Sequence, residues 1–353
     1  MPTNPRALDI QDDDLEDSHS NLESTYHEKE IIEKDFVPHF LPTYRIKSSL
    51  YPLPIIIAVV IAGILAYLTF FVAGVQVEGS YFPEEELGAL AVLLNGIIFT
   101  VISAISAFFI IFLIRKIGVG VIKYIFGLSF GFVSFFITLM FLDVIIFLIF
   151  VQFPETASLV TLYLLFTNII IPALTAISVI LLIYYYFTSK SIKVKNFIVL
   201  YISLLVSASM SGIFEIGSTL AILIGISLWD IFAVLYKRGP IKTMIDIISN
   251  NDDESDSSNA EVEEKIKSGE GEYDTSKLEI GIGDLAFYSL LTSSVLLFTN
   301  NIIIVILTTV AILIGTGITI SGLKRNKILP GLPISIFMGI GTFFLCQLII
   351  FFI

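Results

Sequence analysis

Two aspartates stand inside apolar stretches of this chain, each seven residues from a lysine. Asp230 precedes Lys237 in the run Leu228-Trp229-Asp230-Ile231-Phe232, and Asp284 follows Lys277 in Gly281-Ile282-Gly283-Asp284. If both stretches are helical, a rise of ~1.5 Å per residue sets each carboxylate about 10 Å inside the same membrane face. A carboxylate is costly to bury in hydrocarbon, so two at one depth point to a shared site. Two carboxylates a few ångströms apart in a low dielectric hold one proton between them, because the first charge opposes the second. One member then activates water while the other polarises a carbonyl, which is the chemistry of peptide hydrolysis. The pair titrates as a unit rather than as a separate acid and base.

The surrounding residues suit that use. Gly281 and Gly283 remove side chains ahead of Asp284 and loosen the start of its span, letting water and a substrate backbone approach. Pro330-Gly331-Leu332-Pro333 opens a later span, where prolines leave carbonyls unpaired; that is tolerable in a membrane only beside protein or water. A substrate helix hides its amides in hydrogen bonds and must unwind before attack, after which an extended segment can pair with exposed backbone by strand addition. Trp229, beside Asp230, either lines the site or packs.

The elements that must carry these residues are membrane helices. Hydrophobic residues make up 56% of the 353 positions, and mean hydropathy is +0.91. The expected fold class is all-α, a polytopic membrane protein with nine transmembrane helices near 54–76, 88–114, 120–151, 157–187, 196–214, 217–236, 279–298, 300–322 and 331–353. Threading nine spans from a cytoplasmic N-terminus puts the basic residues on one side. Arg45 and Lys47 precede the first span, and Arg115, Lys116 and Lys123 lie between the second and third. Lys190, Lys193 and Lys195 follow the fourth, Lys237, Arg238 and Lys242 the sixth, and Lys324, Arg325 and Lys327 precede the last. The opposite loops carry acids such as Glu84-Glu85-Glu86, Glu155 and Glu215. This charge bias predicts a cytoplasmic N-terminus and an extracytoplasmic C-terminus. Residues 1–47 read as an acidic, largely disordered tail, in which Thr25-x-x-Glu28 has the form of a cap for a short helix through Lys34. Residues 48–236 hold spans one to six, 237–277 an acidic flexible cytoplasmic loop, and 278–353 spans seven to nine. Residues 1–35 are polar and acidic, unlike a signal peptide.

Three segments then resemble one family in order. Asp230-Ile-Phe-Ala-Val-Leu-Tyr-Lys-Arg-Gly-Pro-Ile-Lys242 resembles the sixth-span signature of presenilins, Gly281-Ile-Gly-Asp284 their Gly-x-Gly-Asp motif, and Leu329-Pro-Gly-Leu-Pro-Ile-Ser-Ile336 their Pro-Ala-Leu segment. The similarity covers roughly the last third; the first five spans match mainly in number and orientation. The resemblance implies an intramembrane-cleaving aspartyl endopeptidase of the GxGD type with Asp230 and Asp284 as catalytic dyad. It implies that Gly281, Gly283, Pro330, Gly331 and Leu332 shape the site and position substrate. It further implies single-span membrane proteins or membrane stubs as substrates, with the lipid bilayer as surroundings. Trp229 stands where the family usually has tyrosine, and Gly331 replaces the alanine of Pro-Ala-Leu. The loop lacks an obvious apolar segment of the kind that eukaryotic presenilins cleave in themselves, which leaves self-processing an open question. Acidic termini and single-chain economy suit a microbial, archaeal relative without obligatory partner subunits.

One cysteine, Cys346, excludes an internal disulfide and a cysteine-based metal cluster, and all three histidines (His19, His27, His39) fall in the tail. No metal, no cofactor and no nucleic-acid partner is expected. The main alternative is an ion channel or transporter using Asp230 and Asp284 as an ion or proton site in a wet cavity. A catalytically silent holdase for membrane helices is a third reading. Asp143 reads as a structural acid, and Asn95, Asn300 and Asn301 as interhelical or interfacial hydrogen bonders.

Overall fold

The computed structural model describes residues 30–32, 42–77, 81–118, 120–189, 191–236, 239, 271–273, 277–324 and 330–352. Contacts divide the chain into two units, Met1–Phe36 with Asp252–Asp274, and Val37–Asn251 with Thr275–Ile353. In the first, the strands Glu30–Ile32 and Gly271–Tyr273 pair in parallel. The helix expected from Thr25 begins outside the described residues, and Glu30–Ile32, where it would continue, is extended. Most of the acidic loop 237–277 also lies outside them.

The second unit is a helical membrane bundle. Among the described residues, nine helices are long and apolar enough to cross a membrane. These are α1 (Pro52–Ala66, continued by a π turn at Tyr67–Val72), α2 (Ala89–Ile117), α3 (Val121–Phe150), α4 (Ala157–Leu165 and Ile171–Thr188, joined by a π turn at Phe166–Ile170) and α5 (Ile192–Ile213). They continue as α6 (Ile216–Leu235), α7 (Ile282–Thr299), α8 (Ile302–Lys324) and α9 (Gly331–Phe352). Helices are forced here because lipid offers no partner to a backbone amide or carbonyl. α1 opens at Pro52, which has no N–H to satisfy. Pro172 follows the π turn of α4 and returns no N–H to the preceding turn. Asn300 ends α7 in the left-handed region, at φ 47°, and Asn301 accepts the Ile303 N–H to start α8.

The bundle is organised around α7, which packs on α1, α5, α6, α8 and α9. The hydrophobic windows of α5 and α7 are each 56% buried, against 11% for α2, so α5 and α7 are core helices and α2 faces lipid. No hydrophobic force drives helices together in a bilayer, whose tails are as apolar as leucine, so close contact rests on small and hydroxyl residues. Ser289, Thr292, Ser293 and Ser294 lie buried on α7, and Ser289 and Thr292 donate to carbonyls of their own helix. Backbones approach closely at two glycines. A Cβ on Gly96 of α2 would stand 2.8 Å from Ala221 Cβ of α6, and one on Gly315 of α8 2.6 Å from Ser335 Cα of α9. At the end of the bundle away from Asp230 and Asp284, Asn95 bonds Ser218 Oγ at 2.8 Å and the backbone of Phe82, and Glu84 accepts the Ser218 N–H at 2.7 Å.

A second element departs from the sequence expectation. The tail assigned to residues 1–47 ends in a strand, β1 (Thr43–Lys47), paired antiparallel with β2 (Lys277–Gly281), and α7 begins only at Ile282. Thr43-Tyr-Arg-Ile-Lys47 alternates, with Tyr44 and Ile46 packed against the bundle core together with Leu278 and Ile280.

Candidate active site

Three helix ends meet where the sequence placed its chemistry. Asp230 lies on the last turns of α6, Asp284 is the third residue of α7, and Gly331 opens α9. Both aspartates are half-buried. The Leu332 N–H donates to Asp230 Oδ2 at 3.4 Å, a long bond. A Cβ built on Gly331 would stand 3.3 Å from Asp284 Oδ2, and one on Gly281 3.6 Å from the same atom. The Gly281 backbone and the Asp230 carboxylate both lie near enough to the Asp284 carboxylate to act on its charge. The structure therefore brings together Asp230, Asp284, Gly281, Gly331 and Leu332.

Gly281 belongs to β2 rather than to the helix, with φ −63°, a conformation open to any residue. A Cβ on Gly283 would make ordinary contact with Phe287 at 3.7 Å. Neither Gly281 nor Gly331 places a side chain against the Asp284 carboxylate. Pro330 is buried immediately ahead of α9. Trp229 packs edge-on against Phe108 of α2, with ring centroids 6.0 Å apart, and against Phe232 at 5.5 Å. Asp143 sits on α3, and its Oδ1 has no hydrogen-bond partner among the described residues.

A layer that sequence reasoning passed over holds α9 in place. Tyr288, 1% exposed and one turn beyond Asp284, donates to Gly331 O at 3.3 Å, and its oxygen lies 3.2 Å from Ser335 Oγ. Ser335 in turn bonds Thr316 of α8 at 3.0 Å. The signal was the i, i+4 spacing from Asp284, which sets Tyr288 on the same helix face.

With that geometry in view, residues 248–352 match the Presenilin family profile, a range that includes Asp284 and Pro330–Leu332 and stops short of Asp230. Presenilin-B of Dictyostelium discoideum is 34% identical over 145 residues, covering 41% of this chain and 28% of that protein. Over these residues the chain is similar to presenilins. It spans under a third of the length of that relative. A solved structure of a presenilin family intramembrane aspartate protease superposes with a TM-score of 0.50 at 18% identity, covering 84% of this chain and 99% of the other. The fold of this chain is thus the presenilin fold, and the chain is an integral, multi-pass membrane protein with nine candidate spans among its described residues.

Proposed function

We propose that this chain is an intramembrane aspartyl endopeptidase that hydrolyses peptide bonds within membrane-spanning segments, with Asp230 and Asp284 as its dyad. The observation that supports the reading is the convergence of the two half-buried carboxylates with the backbone of Gly331 and Leu332. A water held between the carboxylates loses a proton to the ionised member as its oxygen attacks the scissile carbonyl carbon. The protonated member donates to the carbonyl oxygen, giving a gem-diol. Collapse breaks the C–N bond: the proton taken from water passes to the leaving amine while one hydroxyl of the gem-diol returns its proton to the other carboxylate. Products are a new carboxyl and a new amino terminus, and the dyad returns to one shared proton.

Space for the substrate backbone comes from the missing side chains at Gly281 and Gly331. Positioning is assigned to Gly281, Gly283 and Pro330–Leu332. The outward backbone of β2 offers an edge to which an unwound segment can add as a strand. Substrates are single-span proteins or membrane stubs that reach the site laterally in the bilayer. The charge bias orients the N-terminus to the cytoplasm and the C-terminus to the opposite side, in a cell membrane.

The test is incubation of purified protein in bilayers with a single-span reporter, followed by product masses. Cleavage inside the reporter's apolar segment is expected. Ion flux through the bilayer without cleavage of any single-span reporter would replace this reading with the ion-pathway one.

A further inference from the structure

The strand β1 reaches the site from the opposite end of the chain, and its hydrogen bonds fix which backbone groups face which way. Ile282 N–H donates to Pro42 O at 3.2 Å. In an antiparallel ladder bonding alternates, so Tyr44 with Ile280 and Ile46 with Leu278 exchange the bonds, and Thr43, Arg45, Glu279 and Gly281 turn their amides outward.

On the β1 side that outward edge is taken. Asn196 of α5 accepts from Arg45 N at 2.9 Å and donates to Arg45 O at 2.7 Å, as a neighbouring strand would. Across the ladder, Arg45 Nε bonds Glu279 Oε1 at 2.9 Å, and Thr43 Oγ1 donates to Glu279 Oε2 at 2.9 Å. Narrow pairing of this kind, without backbone bonds between the two residues, brings facing side chains together. The other face of both strands is anchored in the bundle core. β1 is therefore fastened at Arg45 on its outer edge and on both faces. The outward edge of β2 ends at Gly281, against the Asp284 carboxylate.

We propose that β1 is a fixed positioning strand, and that Asn196, Arg45 and Glu279 are positioning residues that set where the outward edge of β2 lies beside Asp284. This inference rests on the protease reading and extends it. The substrate meets β2, while the register of cleavage is held from behind by a strand that never leaves.

The experiment uses the full chain in bilayers, with Asn196→Ala, Glu279→Arg and the swapped pair Arg45→Glu with Glu279→Arg. Two quantities are read: amide hydrogen exchange over residues 277–283, and the masses of products from a single-span reporter. Either single change is expected to speed exchange in that segment about tenfold or more. It is also expected to add products displaced along the reporter while cutting kcat/KM about tenfold, and the swapped pair is expected to restore both. Unchanged exchange over 277–283 in Asn196→Ala overturns the proposal, whether or not the reporter is cut. Unchanged product masses with slower turnover also overturn it, because a purely structural brace would behave so. Faster turnover overturns it by making β1 a competitor of the substrate. A wild-type chain that cuts no reporter sinks the protease reading, and with it the substrate half of the proposal, while the exchange measurement still decides the strand.

Discussion

The backbone N–H of Leu332 donates to Asp230 Oδ2 at 3.4 Å, joining α9 to α6 across 102 positions of sequence. That bond ties the aspartate of one span to the proline-flanked opening of another. Asp284 lies against the adjacent glycine of the same turn. Small displacements of α9 therefore reach both carboxylates.

Gly331 is the most direct test of that proximity. A Cβ at 3.3 Å from Asp284 Oδ2 asks the carboxylate to give way by a few tenths of an ångström. Gly331→Ala is expected to keep kcat/KM within about threefold, whereas the branched side chain of Gly331→Val displaces the carboxylate and costs about a hundredfold. Reporter kinetics with melting curves for each variant check this.

Tyr288→Phe keeps the ring and removes the hydroxyl that Gly331 O accepts. Losing one part-buried hydrogen bond of this kind costs about 0.5–1.5 kcal/mol. The expected result is a lower melting temperature with a fall of about tenfold in kcat, as the α9 opening loses its tether.

Gly315 faces the backbone of Ser335, which cannot swing aside as a side chain would. Gly315→Ala is expected to destabilise by about 1–3 kcal/mol through overpacking of α8 on α9. Gly341→Ala, with nothing within 4 Å of the added atom, is the control and should stay within about 0.5 kcal/mol. Thermal unfolding of the two variants side by side gives the comparison.

A pH effect is expected at Glu215, in the turn before α6. Desolvation first, and then the charge of Glu84, push its carboxyl above the usual range. A raised acid binds its proton more tightly when folded, so its contribution is present at acid pH and lost as pH rises through the raised value. Glu215→Gln should therefore raise the melting temperature near neutral pH and change little near about pH 4. Because Glu215 is exposed, solvent screening keeps the gain small.

The sequence made the helices legible because each is an apolar run with charged ends, and the two aspartates stood out because hydrocarbon tolerates so few. Boundaries moved where local composition misleads. α5 starts at Ile192 rather than at 196, taking Lys193 and Lys195 into its first turn, since lysine stems lie along apolar surface with the charge at the interface. β1 stayed hidden because five alternating residues are a weak signal and Thr43 meets Glu279 across 236 positions. Tyr288 and Ser335 were equally quiet, being ordinary membrane-helix residues until α7, α8 and α9 are packed together.

The central claim is that Asp230 and Asp284 act as one catalytic pair. Its most direct test is cleavage of a single-span reporter by the wild type, Asp230→Asn and Asp284→Asn, each first shown to melt like the folded wild-type protein. The wild type is expected to cut within the apolar segment, and either substitution to lower the rate by at least about a thousandfold. A folded variant that cuts at the wild-type rate with either aspartate replaced would contradict it.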